Sequence, residues 1–260
     1  MEIKKQGKHK EQHIFTIKNI DHEFINTLRR TILAEVPTLA VKNITIKKNS
    51  SALFDEILSH RLGLIPLITD LETYELPEKC SCEAAGCAKC QLKFTLKAIG
   101  PGTIMASEMK IEDPVIKPVY ENLPIVKLLD EQEIEMEGII TLGKGKQHSK
   151  YSSCLIYYKG IPKIKIKNPK NIEEIAKSCP KKLFEVKNKE LKVKNQEECI
   201  LCQYCAEASN SEIEITASDK EFIITIEPWG QLPPEIILKE SANILSEKLT
   251  ELETKFSKLK

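Results

Sequence analysis

Hydrophobic and polar residues alternate in residues 13–20 (HIFTIKNI) and 91–98 (QLKFTLKA). A period of two places every second side chain on the same face of an extended strand. The pattern therefore predicts two β-strands, and the second should have one face in a hydrophobic core and the other in solvent. Residues 39–48 (LAVKNITIKK) and 220–230 (KEFIITIEPWG) are also predicted to be strands.

Three other stretches have helical periodicity. The first begins at Asp21, a preferred N-cap residue, and ends before Pro37, which cannot continue a helix. Within it, Phe24, Leu28 and Ile32 are spaced so that they share one face of the helix. We expect that face to be buried.

The second predicted helix lies within residues 50–67, with Ser51 as its expected N-cap and Gly63 near its C-terminal end. The third opens at Pro234, because proline is favoured at the first helical position. One apolar stripe along it consists of Leu238, Ala242, Leu245, Leu249, Leu252 and Phe256. Their spacing alternates between four and three, as in a coiled-coil seam, so we expect part of this seam to pack against another chain.

Positive and negative charges nearly cancel in this 260-residue chain. It has 39 Lys and Arg against 38 Asp and Glu, so the molecule as a whole has no basic field that would hold DNA or RNA by its phosphates. No stretch approaches the roughly 18 apolar residues that span a membrane, and the polar N-terminal stretch lacks the features of a signal peptide. We therefore expect a cytoplasmic protein without a membrane segment.

Nine cysteines are many for a cytoplasmic protein, and seven of them lie in two tight groups. Such groups in a reducing compartment indicate metal binding more often than disulfides. Cys199, Cys202 and Cys205 have the C-x2-C-x2-C spacing of bacterial-type ferredoxins, whose motif continues with C-x3-C-P. Here Ser209 occupies the position of that last cysteine.

The fourth ligand is expected from elsewhere in the chain, because in two-cluster ferredoxins the cysteine of a Cys-Pro pair binds the other cluster. Cys179, which precedes Pro180, is the candidate, and a β-hairpin turning at residues 188–189 is predicted between it and the triplet. We predict one iron–sulfur cluster, [4Fe-4S] with Cys179 as a ligand or [3Fe-4S] without it. A zinc ion on the same four thiols is the alternative.

The other group has the spacing C-x-C-x4-C-x2-C. It consists of Cys80, Cys82, Cys87 and Cys90. Four thiols within eleven residues can close a tetrahedral zinc site. Two disulfides or free thiols are the alternatives, since intracellular proteins of hyperthermophiles do form disulfides. The last cysteine, Cys154, is expected to be an ordinary buried residue.

Three long segments resemble the D family of archaeal DNA-directed RNA polymerase subunits, the counterparts of the bacterial alpha N-terminal domain and of the third-largest subunit of eukaryotic RNA polymerase II. The segments are 24–67 (FINTLRRTILAEVPTLAVKNITIKKNSSALFDEILSHRLGLIPL), 141–153 (TLGKGKQHSKYSS) and 225–245 (TIEPWGQLPPEIILKESANIL). One departure occurs at residues 149–151, which are Ser-Lys-Tyr where the family has Ala-Lys-Trp.

The resemblance implies an α+β fold in three parts. Residues 1–42 and 213–260 would form a two-segment dimerisation domain like that of alpha subunits. Residues 43–166 would form an inserted mixed α/β domain. Residues 167–212 would form a small ferredoxin-like domain that carries the iron–sulfur cluster.

The resemblance also implies a non-catalytic assembly scaffold. Members of this family dimerise with subunit L and recruit the large catalytic subunits and the small subunits N and P, without direct sequence-specific DNA contact. The implied interface residues are Arg29, Arg30, Leu245, Leu249, Leu252 and Phe256. The two arginines would lie at the docking face for a large catalytic subunit. We find no Asp-rich loop that could hold the two metal ions of nucleotidyl transfer, so we predict no catalytic residue.

Two alternative functions use the cysteine triplet differently. The chain could be an iron–sulfur redox or iron sensor that regulates polymerase assembly, or an electron-transfer protein of the ferredoxin type. The retention of a single cluster motif, in a chain mostly unlike a ferredoxin, argues against the electron carrier.

Overall fold

The computed structural model describes residues 1–9, 11–167, 169–187 and 190–259. Its helices are α1 (His22–Glu35), α2 (Asp55–Gly63), α3 (Ile172–Ser178), α4 (Tyr204–Ala208) and α5 (Pro234–Ser257). Its strands are β1 (Glu2–His9), β2 (Gln12–Lys18), β3 (Pro37–Asn49), β4 (Leu92–Ile99), β5 (Gly102–Met105), β6 (Lys110–Ile111), β7 (Pro124–Leu128), β8 (Glu133–Lys144), β9 (Cys154–Ile166), β10 (Phe184–Lys187), β11 (Glu190–Val193) and β12 (Ile213–Pro228). The predicted α+β fold class is confirmed.

The chain divides into two compact units. The first comprises Met1–Asn26 and Tyr157–Thr225, and the second comprises Thr27–Ile156 and Ile226–Lys260. The whole predicted ferredoxin-like segment lies in the first unit, and most of the predicted insert domain lies in the second. The three-domain division implied by the family resemblance follows other boundaries and stays a prediction.

The first unit is built on a four-stranded sheet in the order β1-β2-β12-β9. Between β9 and β12 the chain forms α3, the antiparallel hairpin of β10 and β11, and α4. The two strands of this hairpin are confirmed, whereas its predicted turn at residues 188–189 lies outside the described residues. A small core of its own holds this insertion together. Its buried members are Ile175, Cys179, Leu183, Phe184, Leu191, Cys199, Cys205, Ile213 and Ile215.

The second unit contains an antiparallel sheet in the order β3-β8-β4-β6 and a smaller pair, β5-β7. Side chains alternate along β4 between buried and exposed, as the sequence pattern predicts. Gly138 of β8 pairs with Phe94 of β4 at the centre of the sheet. A Cβ atom at Gly138 would lie 2.5 Å from a ring carbon of Phe94, which is too close. Only glycine therefore leaves room for the Phe94 ring at this paired position.

Helix α1 ends before Pro37 as predicted, but its buried face differs from the prediction. Ile25, Leu28 and Ile32 are buried, whereas Phe24 is 42% exposed, so the inclusion of Phe24 was wrong. Both residue sets satisfy the spacing of one helical stripe, and the period alone does not choose between neighbouring positions.

Helix α2 is shorter than predicted. It begins at Asp55, and its N-cap position is Phe54, so the prediction of Ser51 as the cap was wrong. The Ser51 hydroxyl donates instead to Asn49 Oδ1 at 2.6 Å, within the turn that precedes the helix. A serine hydroxyl can hydrogen-bond within a turn or cap a helix, and here it hydrogen-bonds within the turn. Gly63 is the last helical residue, in agreement with the prediction.

Helix α5 begins at Pro234, as predicted, but the face that it buries is not the predicted seam. In the first part of that seam, Leu238 is half-buried and Ala242 is exposed. Ile237 and Ser241 are buried and Leu245 is half-buried, but every described residue from 246 onward is exposed. None of the described helices combines the length and the apolar character required to cross a membrane.

A buried carboxylate connects three elements of the second unit. Glu35 ends α1, and its carboxylate accepts from Lys144 at 3.2 Å, from Lys146 at 3.1 Å and from Lys248 of α5 at 3.0 Å. Burial by itself would raise the pKa of Glu35, but the three ammonium groups outweigh it and lower that pKa from 4.5 to about 2. The ionised carboxylate therefore stabilises the folded unit.

Replacing Glu35 by Gln should lower the free energy of unfolding at pH 7 by about 2–3 kcal/mol, because three cations clustered around it lose their counter-charge. The folded-state pKa lies below the unfolded value, so this stabilisation is complete above pH 4.5 and is lost as the pH falls toward 2. Chemical denaturation at pH 7 and pH 3 measures the effect, and the difference between wild type and variant should shrink at pH 3.

Glu247→Gln is the matched control, since Glu247 forms an exposed ion pair with Lys79 at 2.8 Å on the same helix α5. Exposed pairs contribute little, so this variant should unfold almost like wild type at both pH values. An equal effect of the two substitutions would contradict the role assigned to Glu35.

Candidate metal centres

The Cys80 loop (Cys80, Cys82, Cys87 and Cys90) lies before strand β4 in the second unit. Tight turns bend it back on itself, with the Glu83 N–H donating to the Cys80 carbonyl and the Cys90 N–H donating to the Cys87 carbonyl, both at 3.0 Å. Gly86 has a φ of +92°, a conformation that glycine adopts without strain. These turns gather the four thiols at one point.

The sulfur atoms of the Cys80 loop have the separations of a tetrahedral metal site. Cys80 lies 3.5 Å from both Cys82 and Cys87, Cys82 lies 3.5 Å from Cys90, and Cys87 lies 3.9 Å from Cys90. Zinc–sulfur bonds of about 2.3 Å in a tetrahedron place sulfur atoms about 3.8 Å apart. A disulfide needs about 2.05 Å, and all nine cysteines are free in this structure.

The charge state of this loop also suits a metal ion. The Gly86 N–H and the Cys80 side chain hydrogen-bond to the Cys82 sulfur and lower the pKa of this thiol from 9.0 to about 6. These hydrogen bonds favour the thiolate of Cys82, and the thiolate is the form of cysteine that binds metals.

The cysteine cavity (Cys179, Cys199, Cys202 and Cys205) lies in the insertion between β9 and β12. All four cysteines line this one cavity. Cys179 follows the last residue of α3, Cys199 follows a 3₁₀ turn at Gln196–Glu198, and Cys205 lies in the first turn of α4. Apolar side chains form most of the remaining lining, and Lys181 is its one charged member. The other lining residues are Ile164, Pro180, Leu183, Phe184, Ile200 and Ile215.

Backbone geometry directs the triplet toward this cavity. Leu201 and Gln203 have φ values of +59° and +66°, so the chain reverses on both sides of Cys202. The Leu201 N–H donates to the Cys199 sulfur at 3.4 Å. Hydrogen bonds to the sulfur atoms are among the factors that set the reduction potentials of iron–sulfur clusters.

The electrostatics of the cysteine cavity reflect the proximity of its four thiols. The pKa of Cys205 is raised to about 11. Burial is the largest cause, and the charges on the sulfurs of Cys179, Cys199 and Cys202 add to it. Four closely placed thiolates repel one another in an apolar setting, and a cationic metal centre removes that repulsion. The donor set and its apolar lining therefore fit an iron–sulfur cluster.

The two sets of thiols differ in how tightly they are gathered. Among the residues that the structure describes, only the Cys80 loop forms a group whose candidate ligand atoms all lie within 4.8 Å of one another. One ion needs such a tight group, whereas a multi-iron cluster needs ligands spread around a larger body. The two groups of thiols therefore differ in geometry, and only that of the Cys80 loop matches the tight arrangement that a single ion needs.

Ser209 has a structural role in the position where a second cluster would need a cysteine. Its hydroxyl donates to the Ala206 carbonyl and accepts from the Ile213 N–H, both at 2.9 Å. It is buried and lies outside the lining of the cysteine cavity. Cys154 is buried in a separate place, and burial raises its pKa to about 11.

The residues expected at interfaces with other chains are mostly accessible. Arg30 is exposed and Arg29 is half-buried on α1. On α5, Leu245 is half-buried, whereas Leu249, Leu252 and Phe256 are 50–62% exposed. These six residues do not share one element, since four of them lie on a different helix from the arginines.

Two polar contacts at these sites escaped sequence analysis. Lys159 of β9 contacts the loop that carries Cys199, and Glu35 gathers three lysines. Both contacts join residues far apart in the chain, so no local spacing in the sequence indicates them.

Comparison with known proteins adds an independent line of evidence. The family model described as the RNA polymerase Rpb3/RpoA insert domain matches residues 41–162. A protein of Methanosphaera stadtmanae named DNA-directed RNA polymerase subunit Rpo3 is 38% identical, over 95% of this chain and 96% of its own length.

Proteins with the same name from other organisms match over a similar extent. That of Pyrococcus furiosus is 35% identical, over 94% of this chain and 93% of its own length. That of Methanothermobacter thermautotrophicus is 32% identical, over 98% of both chains. Full-length similarity at this level establishes common descent and fold, so this chain belongs to the archaeal DNA-directed RNA polymerase subunit Rpo3 family.

Proposed function

We propose that this chain is the assembly scaffold of a DNA-dependent RNA polymerase and contributes no catalytic residue of its own. In this proposal it dimerises with subunit L and then recruits the large catalytic subunits and the small subunits N and P. Membership of the Rpo3 family supports this role over an electron carrier or an independent iron sensor.

The observation that carries the proposal is the exposed apolar stripe (Leu249, Leu252 and Phe256) on the second half of α5. The three side chains are 62%, 50% and 61% exposed. Their spacing of three and four places them on one face of the helix. Contiguous exposed apolar surface of this kind marks a protein interface, and we assign subunit L to this one.

Arg30 is our second assigned contact. It is exposed on α1, outside the buried face formed by Ile25, Leu28 and Ile32. We propose that it contacts a large catalytic subunit, where its charge would contribute more to the rate and specificity of association than to affinity.

Replacing Leu252 by Glu should weaken association with subunit L at least about tenfold, because the carboxylate loses its hydration in the centre of the apolar stripe. Co-purification and analytical ultracentrifugation of the two co-expressed chains measure the loss. Thr250→Glu is the matched control, because Thr250 is exposed on the same helix turn but outside the stripe. If both variants pair with subunit L like wild type, the stripe is not the dimer interface.

For the Cys80 loop we propose one structural zinc ion bound by all four thiolates. The sulfur separations of 3.5–3.9 Å and the lowered pKa of Cys82 support zinc over two disulfides. Structural zinc sites with four protein ligands are closed, so this ion would stabilise the loop and would take no part in chemistry.

Replacing Cys87 by Ser should remove one zinc ion per chain and make the loop sensitive to protease, because binding energy at such sites is folding energy. Elemental analysis and limited proteolysis check both effects. Cys154→Ser removes a buried thiol outside both sites, and it should keep the zinc. Stoichiometric zinc in the Cys87 variant, or its absence from wild type, would contradict the proposal.

For the cysteine cavity we propose a [4Fe-4S] cluster bound by Cys179, Cys199, Cys202 and Cys205. The lining of one apolar cavity by all four thiols supports Cys179 as the fourth ligand. When bound, the cluster would supply a cross-link and a one-electron redox centre. The four thiolates would hold the cluster, and the apolar side chains of the lining would keep water away from it. The cross-link between the thiolates would complete the small core of the insertion.

Replacing Cys202 by Ser should abolish the cluster and unfold the 167–212 segment, because that small core is partly made of ligand thiols. Pairing with subunit L should survive. Replacing Cys179 by Ser should be milder and should lower the iron content from about four to about three per chain, since the triplet can still hold a [3Fe-4S] cluster.

Visible absorption, iron and sulfide analysis, electron paramagnetic resonance and proteolysis of anaerobically purified protein distinguish these outcomes. A Cys179 variant that keeps the wild-type iron content would remove Cys179 from the ligand set. A Cys202 variant with a protease-resistant segment and full polymerase assembly would favour a regulatory cluster over a structural one.

A further inference from the structure

Lys159 connects the central sheet of the first unit to the ligand loop of the cysteine cavity. Its backbone belongs to β9, and its half-buried side chain reaches across to the 3₁₀ turn that precedes Cys199. The ammonium group donates to the Glu197 carbonyl at 2.6 Å and to the Cys199 carbonyl at 2.8 Å. One cation thus holds two carbonyls of the loop, one of which belongs to a proposed cluster ligand.

A second side chain fixes the same loop to the same strand. Gln196 donates through Nε2 to the Pro162 carbonyl, and its Oε1 accepts from the Ile164 N–H at 3.4 Å. Strand β9 lies at the edge of its sheet, so these backbone groups are available for a side chain. Gln196 therefore sets the register of the loop along β9, while Lys159 supplies the charged contact.

The charges around Lys159 are mixed. The carboxylates of Glu197 and Glu198 lie near it, and so does the ammonium group of Lys181. Glu197 also accepts from Gln6 at 2.7 Å, which directs its carboxylate toward β1. Lys159 differs from these neighbours because its ammonium group donates a hydrogen bond to the carbonyl of Cys199, a proposed ligand. Both the position and the charge of the ammonium group therefore act on Cys199.

We propose that Lys159 is the positioning residue of the iron–sulfur centre, fixing Cys199 for ligation and raising the reduction potential of the cluster. The inference rests on the proposed cluster in this cavity. Residues outside the ligand sphere orient the ligands and commonly change metal affinity when they are replaced. A cation beside an anionic cluster favours the reduced state, which carries one more negative charge.

Three substitutions in the full chain separate the two effects. Lys159→Met removes the charge and the donors, Lys159→Gln keeps a donor without the charge, and Lys159→Arg keeps both. Lys163→Met is the matched control, because Lys163 is an exposed lysine on the same strand. All proteins are purified anaerobically and assayed for iron, sulfide, cluster loss to a chelator, and reduction potential.

We expect the Met variant to lose its cluster about ten to a hundred times faster than wild type. The Gln variant should retain the cluster for longer, with an equilibrium constant for reduction about tenfold lower, a shift of about 59 mV for one electron. The Arg variant and the Lys163 control should match wild type in both measurements.

The outcomes separate the inference from the proposed cluster on which it rests. Wild-type protein without iron and sulfide would overturn the cluster itself. Wild-type protein with a cluster, together with Met and Gln variants that match it in lifetime and potential, would overturn the role of Lys159 alone. If the Met variant fails to fold, the Gln and Arg variants decide, because a purely structural lysine would leave the potential of the Gln variant unchanged.

Discussion

The pairing of β9 with β12 is the constraint that makes the cysteine cavity possible. These strands are neighbours in one sheet although a long insertion separates them in sequence. The Lys167 N–H donates to the Glu212 carbonyl at 3.0 Å, so both ends of the insertion leave the sheet side by side. Closing the loop in this way reduces the entropy that the small core must overcome. Three thiols of that core, together with Cys202, line the cavity in which we propose the cluster.

The two cysteine groups differ in how the chain brings their thiols together. The Cys80 loop is a short stretch that folds back through tight turns, and its sulfurs approach closely enough for one ion. The cysteine cavity draws its thiols from α3, a 3₁₀ turn, a reversed loop and α4, and it spreads them around an apolar space. Both arrangements place thiols where burial opposes their ionisation. A bound cation would offset that cost, and the ligands and the local fold would then stabilise each other.

Two features of the second unit suit a scaffold, namely the ion pairs of Glu35 and the exposed apolar stripe of α5. Glu35 holds the end of α1, the basic loop after β8 and helix α5 together through three ion pairs. That contact anchors α5 at Lys248, which directly precedes the exposed apolar stripe. A rigid helix that carries exposed apolar side chains can bind another chain with little loss of conformational entropy.

The sequence by itself indicated the types of the main elements, the two groups of cysteines and, through three long segments, the family. Local spacing was sufficient for these because the triplet, the strand of residues 92–99 and Pro234 act through near neighbours in the chain. It did not choose between Phe24 and Ile25, since both fit one helical period, and it missed the competition of Asn49 for the Ser51 hydroxyl. Only the tertiary structure brought Lys159 to the carbonyl of Cys199 and three lysines to Glu35. Each of these contacts depends on sheet pairing or helix packing between distant segments, which leaves no periodic or spacing signal in the sequence.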